Sequence, residues 1–571
     1  MSSSLVTPSF GGRKPLSRTI LYSLLFINSS MFIAAISLYY LAIRISSVTA
    51  LPIVVGDHDG NSDSSQDLFP TNIGYLGPTR TAGAPFLAQT NAAAAKTGTP
   101  TSKDYILPQP IETSVQSSDH SPEDRNIFEL FGTISPYYVS DGWGVYDYAM
   151  PGQCKIDQVH VLSRHGTRYN TRDSPFASVI GNAKQFNATG DLEFLNQWEY
   201  DQGVNILTTL GNQQLFDKGA RTFFRYGRMY DWNNMDSKMV VRSTTQERMT
   251  MSAEYFLIGF FGTNWQKYVN LELIIEEEGF NNSLATYEAC PNNNKIYELG
   301  LSKKKASGFL KKFLGNATDR FNSQLEGLSL EPEDVYYMQE LCTFEAVTLG
   351  YSQFCKLFTQ EEWEDYEYYN SWVWYNANFY GAQTSRALGI SWVEEFYNRI
   401  TNTTYDASKQ ALQNSTLNKD PIFFPLDQKL YMDFTHDSTI TNIYSALGFE
   451  QFKSNFSDSR TNQPFDLSKV VPFASQSYFE IITCDDAVPN DRSSEQVEGS
   501  GSTKYIHVIL NDHTLDLHEN VPKYCEARSD GWCELSSFLE YMATLWDSAE
   551  FHKSCFGDID LEGEADDGVP V

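Results

Sequence analysis

The sequence predicts an α/β fold in which a sheet domain is flanked by helices and carries a smaller, mostly helical cap. The first observation is that short apolar stretches of strand length alternate with long segments of helical periodicity. The second is a composition with 41% hydrophobic and 14% aromatic residues, which is enough for a large core. The strand candidates are residues 158–163, 239–242, 430–435, 478–482 and 505–510, and the helix candidates are residues 206–230, 249–261, 309–324 and 384–399. The stretch between residues 172 and 420 is mostly helical, so we expect part of it to form the cap.

The N-terminal part of the chain contains a membrane-spanning candidate, residues 19–43, that is almost wholly apolar and uncharged. About 20 apolar residues span a bilayer, and a signal-peptide core is usually shorter than this segment. Basic residues are more numerous before the segment than behind it, which predicts that residues 1–18 are cytosolic and the rest lies outside. We therefore expect a signal anchor and a type II membrane protein at the cell surface. The alternative is a cleaved signal with residues 48–50 as the cleavage site, which would give a secreted protein.

The remaining chain divides by composition into a stalk, a folded domain and a tail. Residues 44–125 are rich in small and polar residues and predict a disordered stalk. The folded domain should comprise residues 126–556, and the acidic residues 557–571 predict a disordered tail. The formal net charge of −30 argues against nucleic acid as a partner.

Two features indicate that the folded domain matures in the secretory pathway. The eight cysteines are even in number and show no zinc-binding spacing, which favours disulfides in an oxidising compartment. Acceptor motifs for N-glycosylation occur at Asn187, Asn281, Asn316, Asn402, Asn414 and Asn455.

The first chemical motif directly follows the first strand candidate and places His165 between Arg164 and Arg168. A guanidinium presents a planar set of donors that matches phosphate oxygens and stays charged at any working pH. A neutral imidazole is a usable nucleophile near neutral and mildly acid pH. The motif therefore predicts a site that binds and attacks a phosphoryl group.

Two further motifs lie at strand-to-helix junctions. The pair His436-Asp437 follows the strand candidate 430–435, and Arg248 opens the helix after the strand candidate 239–242. Ligands in open α/β sheets bind at the carboxyl ends of strands, and helix N-termini favour anions. We expect these groups to lie beside the first motif.

These residues resemble the signature of the histidine acid phosphatase family, in the branch that includes fungal and yeast acid phosphatases and phytases. That signature is Arg-His-Gly-x-Arg-x-Pro with a distant His-Asp pair and a phosphate-binding Arg in between, and the resemblance covers roughly residues 131–556. It implies a phosphoglycerate-mutase-like sheet domain. The placement of the cysteines is also similar, and implies the pairs Cys154–Cys484, Cys290–Cys555, Cys342–Cys355 and Cys525–Cys533. One position departs from the signature, because Asn170 stands where the family has proline.

The resemblance also implies a role for each site residue. His165 would be the nucleophile and Asp437 the proton donor, while the groups that hold the phosphate would be Arg164, Arg168, Arg248 and His436. No cofactor is implied, and no metal, since the arginines would stabilise the charge that a metal ion otherwise stabilises.

The function expected from this sequence is an acid phosphatase that hydrolyses small phosphate monoesters through a phosphohistidine, with phytate as one candidate substrate (3-phytase-like). Extra cations for phytate could come from residues 303–305 and 311–312, although their helical spacing is typical of a solvated face. The alternatives are a phosphotransferase or mutase of the same superfamily and a non-catalytic cell-surface homologue. Asn170 is the feature that favours the last one.

Overall fold

The structure of the protein is a computed structural model, and it describes residues 115–121, 123–183, 185–200, 202–232, 238–406, 412–493 and 501–571. The described residues fall within one compact unit, Thr90–Val571. Among them, no helix is both long and apolar enough to cross a membrane. The predicted anchor at residues 19–43 lies outside the described residues.

A mixed sheet forms the centre of this unit. Its strands are β1 Cys154–Arg164, β3 Met239–Thr244, β4 Val269–Ile274, β6 Leu430–Thr435, β7 Gln476–Cys484, β8 Thr503–Leu510, β9 His513–Thr514 and β10 Cys533–Glu534. The order across the sheet is β10-β8-β7-β1-β6-β3-β4, with β9 beside β8. Small two-stranded sheets are formed by β2 Asn187–Ala188 with β5 Leu325–Glu326 and by β11 Ala565–Asp566 with β12 Val569–Pro570.

The sheet has a parallel half and an antiparallel half that meet at β1. Strands β1, β6, β3 and β4 are parallel, whereas β7 pairs antiparallel with β1 and β8 pairs antiparallel with β7. The pairing of Arg164 with Thr435 brings the end of β1 beside the end of β6. The carboxyl ends of the parallel strands therefore share one edge of the sheet.

Helices connect and cover the strands. They are α1 Pro175–Asn182, α2 Thr209–Tyr226, α3 Glu247–Phe261, α4 Pro291–Glu298, α5 Leu301–Asn322, α6 Pro332–Leu349, α7 Gln360–Asn378, α8 Ser385–Thr401, α9 Ser415–Asn418, α10 Asp437–Ala446, α11 Leu467–Val470, α12 Leu517–Asn520, α13 Leu535–Met542, α14 Leu545–Ser548 and α15 Phe551–Phe556.

Each face of the sheet packs against its own pair of long helices. Val159 and Val161 of β1 belong to the apolar core with α2 and α3, whereas Leu162 belongs to the core with α8 and α10. This alternation is the period-2 pattern of a strand that is buried on both faces. Helices α2 and α3 approach closely at Gly219, which has no side chain. A Cβ at this position would lie only 2.0 Å from the Phe256 carbonyl oxygen.

A second apolar cluster lies among α1, α5, α6 and α7 and the segment that precedes β1. Trp363 and Phe131 are central to it, with ring centroids 5.4 Å apart. These helices lie within the stretch for which the sequence predicts a cap, whereas β3, α3, β4 and α8 of the same stretch belong to the sheet domain.

The four disulfides are Cys154–Cys484, Cys290–Cys555, Cys342–Cys355 and Cys525–Cys533, the same pairs that the family resemblance implies. The first joins the start of β1 to the end of β7, which are partners in the sheet register.

The α/β prediction is confirmed, and each strand and helix candidate corresponds to an element of the same type. The sequence prediction missed β4, which is the edge strand of the parallel half. Its residues alternate between apolar and polar, so it lacks the continuous apolar run that marks a buried parallel strand.

Two predicted boundaries of the folded domain are wrong. The last described part of the expected stalk is packed, with Val115 buried and Ser118 N donating to Phe358 O at 2.8 Å. The expected disordered tail instead ends in the β11–β12 hairpin, where Arg386 donates to Asp567 and Lys553 donates to Pro570 O at 3.0 Å. Composition predicts solvation for an acidic segment, but it does not reveal that a buried arginine on α8 will pair with it.

Candidate active site

The loop after β1 holds His165 at the shared edge of the sheet. His165 is 1% exposed, and its Nδ1 lies 2.9 Å from the Gly166 carbonyl oxygen. A carbonyl only accepts, so Nδ1 carries the proton and the lone pair on Nε2 is free. The loop packs against the first turn of α2, where a Cβ on Gly166 would lie 2.5 Å from the Gly211 carbonyl oxygen. Glycine is therefore the residue that lets the histidine loop approach this helix.

Arg164 is buried completely at the end of β1 and is held from three directions. Its Nη1 donates to the carbonyl oxygens of Thr133 and Val471, each at 2.6 Å, and its Nη2 pairs with Asp437 Oδ2. The Phe473 ring lies 4.5 Å from the guanidinium carbon. These contacts fix the plane of the guanidinium relative to His165.

A chain of hydrogen bonds links the position that departs from the family signature to Arg248. The Asn170 carbonyl accepts from Asn205 N at 2.7 Å, and Asn205 Oδ1 accepts from Arg248 Nη1. Asn170 Oδ1 also accepts from Thr171 N at 2.7 Å, a local bond of the kind that asparagine makes in turns. The carbonyl that holds Asn205 is one that proline would also provide, so the departure leaves this link intact.

His436 lies between an arginine and a carboxylate. Its Nδ1 is 3.4 Å from Arg248 Nη2 and its Nε2 is 3.0 Å from Glu276 Oε2. Glu276 also accepts from Gln246 Nε2 and from the hydroxyl of Tyr287. Because guanidinium only donates, these contacts assign the Nε2 proton to the bond with Glu276 and leave Nδ1 as an acceptor. The ring centroids of His436 and His165 are 5.7 Å apart.

Asp437 is the first residue of α10, and its two oxygens have different partners. Oδ2 pairs with Arg164, and Oδ1 accepts from Ser438 N at 2.9 Å. Burial disfavours the ionised carboxyl, but the nearby Arg164 and Arg168 outweigh it and lower the pKa of Asp437 below its usual range. The carboxylate thus balances part of the positive charge of the arginines.

Burial and positive charge set the protonation states of the other groups. Burial, followed by the charges of Arg164 and Arg248, lowers the pKa of His165 well below 6.5. Burial also lowers the pKa of Arg164 to about 10 and that of Arg168 to about 9, so both remain charged in acid and at neutrality. For Glu276, burial is outweighed by His436, which lowers the pKa of this carboxyl.

The structure brings all six sequence-predicted site residues together at one edge of the sheet: Arg164, His165, Arg168, Arg248, His436 and Asp437. The Nε atoms of the three arginines are buried and have no hydrogen-bond partner within the described part of the chain. The sequence analysis missed Glu276 and Asn205. Glu276 follows β4, so recognition of that strand would have placed a carboxylate at the same edge. Asn205 has a positive φ of 66°. It directly precedes the helix candidate 206–230, and asparagine is one of the few residues besides glycine that adopt this conformation, which was the available signal.

This arrangement places a neutral histidine and a carboxyl group beside three guanidiniums, a combination that can bind an anion such as phosphate. Three guanidiniums and a helix N-terminus favour an anion, and the pocket contains one group that can attack and one that can transfer a proton.

The comparisons with known proteins agree with this class of site. Residues 155–511 match the model of the histidine phosphatase superfamily (branch 2). Phytase A of Aspergillus oryzae is 30% identical over 443 residues, which cover 72% of this chain and 88% of that protein. Phytase A of Emericella nidulans is 30% identical over 437 residues, with 72% and 89% covered. The phytase of D. castellii has a similar fold, with a TM-score of 0.60, 20% identity, and coverage of 79% of this chain and 93% of that one.

The chain belongs to the histidine phosphatase superfamily, branch 2. It is an acid phosphatase, an enzyme that hydrolyses phosphate monoesters.

The link from Asn205 to Arg248 predicts a difference between two substitutions. Asn205→Gly keeps the positive φ but removes the partner of Arg248, so we expect KM for a simple phosphate monoester to rise about tenfold, as for a lost hydrogen bond to a charged group. Asn170→Pro keeps the carbonyl that holds Asn205, so kcat/KM should change less than about threefold. Steady-state kinetics of both variants give kcat and KM. Equal losses of kcat/KM in the two variants would contradict the prediction.

Proposed function

We propose that this protein hydrolyses phosphate monoesters in two steps through a phosphohistidine on His165. The observation that carries the proposal is the unprotonated Nε2 of a neutral, buried imidazole beside three guanidiniums. In the first step, Nε2 attacks phosphorus as the bond to the leaving oxygen breaks. The Nδ1 proton stays on the ring and donates to the Gly166 carbonyl, which stabilises the charge that the ring gains.

The cations of the site would hold the non-bridging oxygens in the transition state. Arg164 and Arg248 have fixed partners and so are preorganised, and Arg168 lies with its guanidinium 6.0 Å from the Phe473 ring. His436 would add a polar contact at the side of Arg248. Fixed donors that face developing charge in a site shielded from water stabilise it strongly.

Asp437 would deliver the proton to the leaving alkoxide. Its pKa is low because Arg164 and Arg168 favour the carboxylate and outweigh the effect of burial. A bound phosphate group brings negative charge to the same arginines, which weakens that effect and raises the pKa of Asp437. Asp437 therefore takes up a proton from the acid solution when the substrate binds. In the second step, Asp437 would act as the base for the water that cleaves the phosphohistidine.

Activity in acid is the direct test of this mechanism. Because the pKa of His165 lies well below 6.5, the nucleophile stays neutral in acid, and we expect turnover of 4-nitrophenyl phosphate between about pH 3 and 7. His165→Ala should reduce kcat by about a thousandfold or more with an unchanged circular dichroism spectrum. His552→Ala, at an exposed histidine on α15, serves as the control and should match the wild type. A wild-type protein without activity across this range would support the non-catalytic alternative.

We further propose that phytate is among the substrates. Two relatives with 30% identity are named Phytase A, and a substrate with several phosphates needs cations beyond those that hold the reacting group. Burial raises the pKa of Glu340 on α6, and the nearby Arg172, Lys303 and Arg168 oppose that shift. These cations therefore extend the positive region from the phosphate site toward α6.

Lys303 differs from the other lysines that the sequence analysis considered for this role. Lys305 pairs with Glu564 and Lys312 donates to the Asp458 carbonyl. Lys303 instead acts on the Glu340 carboxyl, as Arg168 of the candidate site also does. Lys304 and Lys311 are exposed, as expected for a solvated face.

Kinetics with two substrates test the assignment of phytate. Lys303→Ala should raise KM for phytate roughly three- to tenfold and leave KM for 4-nitrophenyl phosphate unchanged, because only phytate has a second phosphate to contact. The increase in KM should be smaller at high ionic strength, because salt screens the attraction between an exposed lysine and a phosphate group. Lys311→Ala, on the same helix, is the matched control. Rates with phytate that remain far below those with simple monoesters would instead support a broad acid phosphatase.

The four disulfides indicate maturation in the secretory pathway, since disulfides persist in oxidising compartments. We propose that residues 19–43 anchor the chain in the membrane on this route. Of the six predicted glycosylation sites, Asn414 is half-buried and caps α9, and the exposed ones are Asn187, Asn281, Asn316, Asn402 and Asn455.

Membrane extraction tests the anchor. The full-length chain should remain in the membrane fraction after alkaline carbonate treatment, because an apolar span is not released by breaking ionic contacts. Deletion of residues 19–43 should abolish membrane association. A mature N-terminus at residue 51 and recovery in the medium would show that the segment is a cleaved signal.

A further inference from the structure

Two backbone carbonyls from distant segments of the chain determine how Arg164 presents its guanidinium. Thr133 O belongs to the 3-10 turn Gly132–Ile134, and Val471 O directly follows α11. Both accept from the same nitrogen, Nη1, at 2.6 Å. A shift of either segment would rotate the guanidinium of Arg164 and move its Nη2 away from Asp437.

One carboxyl group on α7 joins these two segments. Glu367 Oε2 accepts from Gly132 N at 2.9 Å, one residue before Thr133. Glu367 Oε1 accepts from Ser468 N at 3.2 Å, three residues before Val471. The same side chain therefore binds the backbone of both segments that hold Arg164.

Neighbouring hydroxyl groups complete this junction. Ser371 Oγ donates to Glu367 Oε1 at 2.8 Å and itself accepts from Leu467 N at 2.9 Å. Ser468 Oγ lies against Glu367 Oε2 and accepts from Gly132 N at 2.9 Å. Glu367 is 5% exposed, so water cannot readily replace these partners. A buried donor left without a partner costs about 1–3 kcal/mol.

The junction tolerates a change in the charge of the carboxyl. Burial, with the neighbouring Asp466, raises the pKa of Glu367 to about 8, so the carboxyl carries a proton in acid. The protonated carboxyl can donate a hydrogen bond to Ser468 Oγ. The backbone N–H groups of Gly132 and Ser468 then still donate to the oxygens of Glu367.

We infer that Glu367 is a positioning residue for phosphate monoester hydrolysis, which acts on the reaction by fixing the two carbonyls that orient Arg164. The inference rests on the proposed function, in which Arg164 holds phosphate. Glu367 itself does not touch Asp437 or His165 among its hydrogen-bond contacts in the described residues, so its effect passes through Arg164.

Methionine at position 367 removes both acceptors at similar side-chain length. Glu367→Met should lower kcat/KM for 4-nitrophenyl phosphate about ten- to a hundredfold, the size expected from a small misplacement of a phosphate-binding group. The inhibition constant of orthophosphate should rise in parallel, because Arg164 holds the product as well. Glu364→Met is the matched control on the same helix, since Glu364 pairs with Arg460 at the surface. The control should leave both quantities within about twofold of the wild type.

Two further variants separate positioning from a general loss of structure. Glu367→Gln keeps one acceptor oxygen and should recover part of the loss. In an Arg164→Lys background, Glu367→Met should change kcat/KM and orthophosphate inhibition little further, because residues that act through one group are not additive. An equal loss in both backgrounds would overturn the inference, as would an unchanged inhibition constant in folded Glu367→Met.

The design remains decisive if Glu367→Met does not fold. Ser468→Ala removes one hydroxyl of the junction and should still raise the orthophosphate inhibition constant about threefold. No change in that variant would overturn the inference. Wild-type activity is measured first: an inactive wild type rejects the proposed function, whereas an active wild type with an unaffected folded Glu367 variant rejects only the role of Glu367.

Discussion

The central constraint on this molecule is the assembly of three guanidiniums in a buried pocket. Two like charges 5 Å apart repel by about 3 kcal/mol at an effective dielectric constant of 20, and burial removes the water that would otherwise screen them. The fold meets this cost with oxygen acceptors. Arg164 has two backbone carbonyls and Asp437, and Arg248 has the side chain of Asn205. What remains is a positive site whose charge a phosphate group would complete.

The two carboxylates at the site have distinct environments that suit different tasks. Glu276 is fully buried and accepts from His436, Gln246 and Tyr287, so it fixes the orientation of the histidine. Asp437 forms an ion pair with Arg164, and in the proposed mechanism Arg164 also binds the substrate. Its protonation can therefore respond to the binding of an anion by Arg164. The difference arises from position: one carboxylate contacts the arginines directly and the other lies behind a histidine.

The groups that orient Arg164 come from two different parts of the fold. The register between β1 and β6 in the sheet fixes the relative positions of the residues at the ends of these strands. Those residues are Arg164, His165, His436 and Asp437. The carbonyls that orient Arg164 come instead from a turn before β1 and a short helix before β7, and α7 of the helical cluster joins the two. The orientation of Arg164 thus depends on contacts between the helical cluster and the sheet domain.

The sequence by itself determined the fold class, the main strands and the six charged or titratable residues at the site. Buried strands are short apolar runs, and the motifs at His165 and His436 directly follow two of them, whereas the family signature singled out Arg248. The family resemblance supplied the cysteine pairs. Tertiary structure alone decided the edge strand β4, the positions of Glu276 and Asn205, and the packed C-terminal hairpin. In each case the deciding contact joins residues distant in sequence: Glu276 meets His436, and Asp567 meets a cation on α8. Composition and periodicity describe what a segment prefers locally, whereas partners of this kind exist only after the chain has folded.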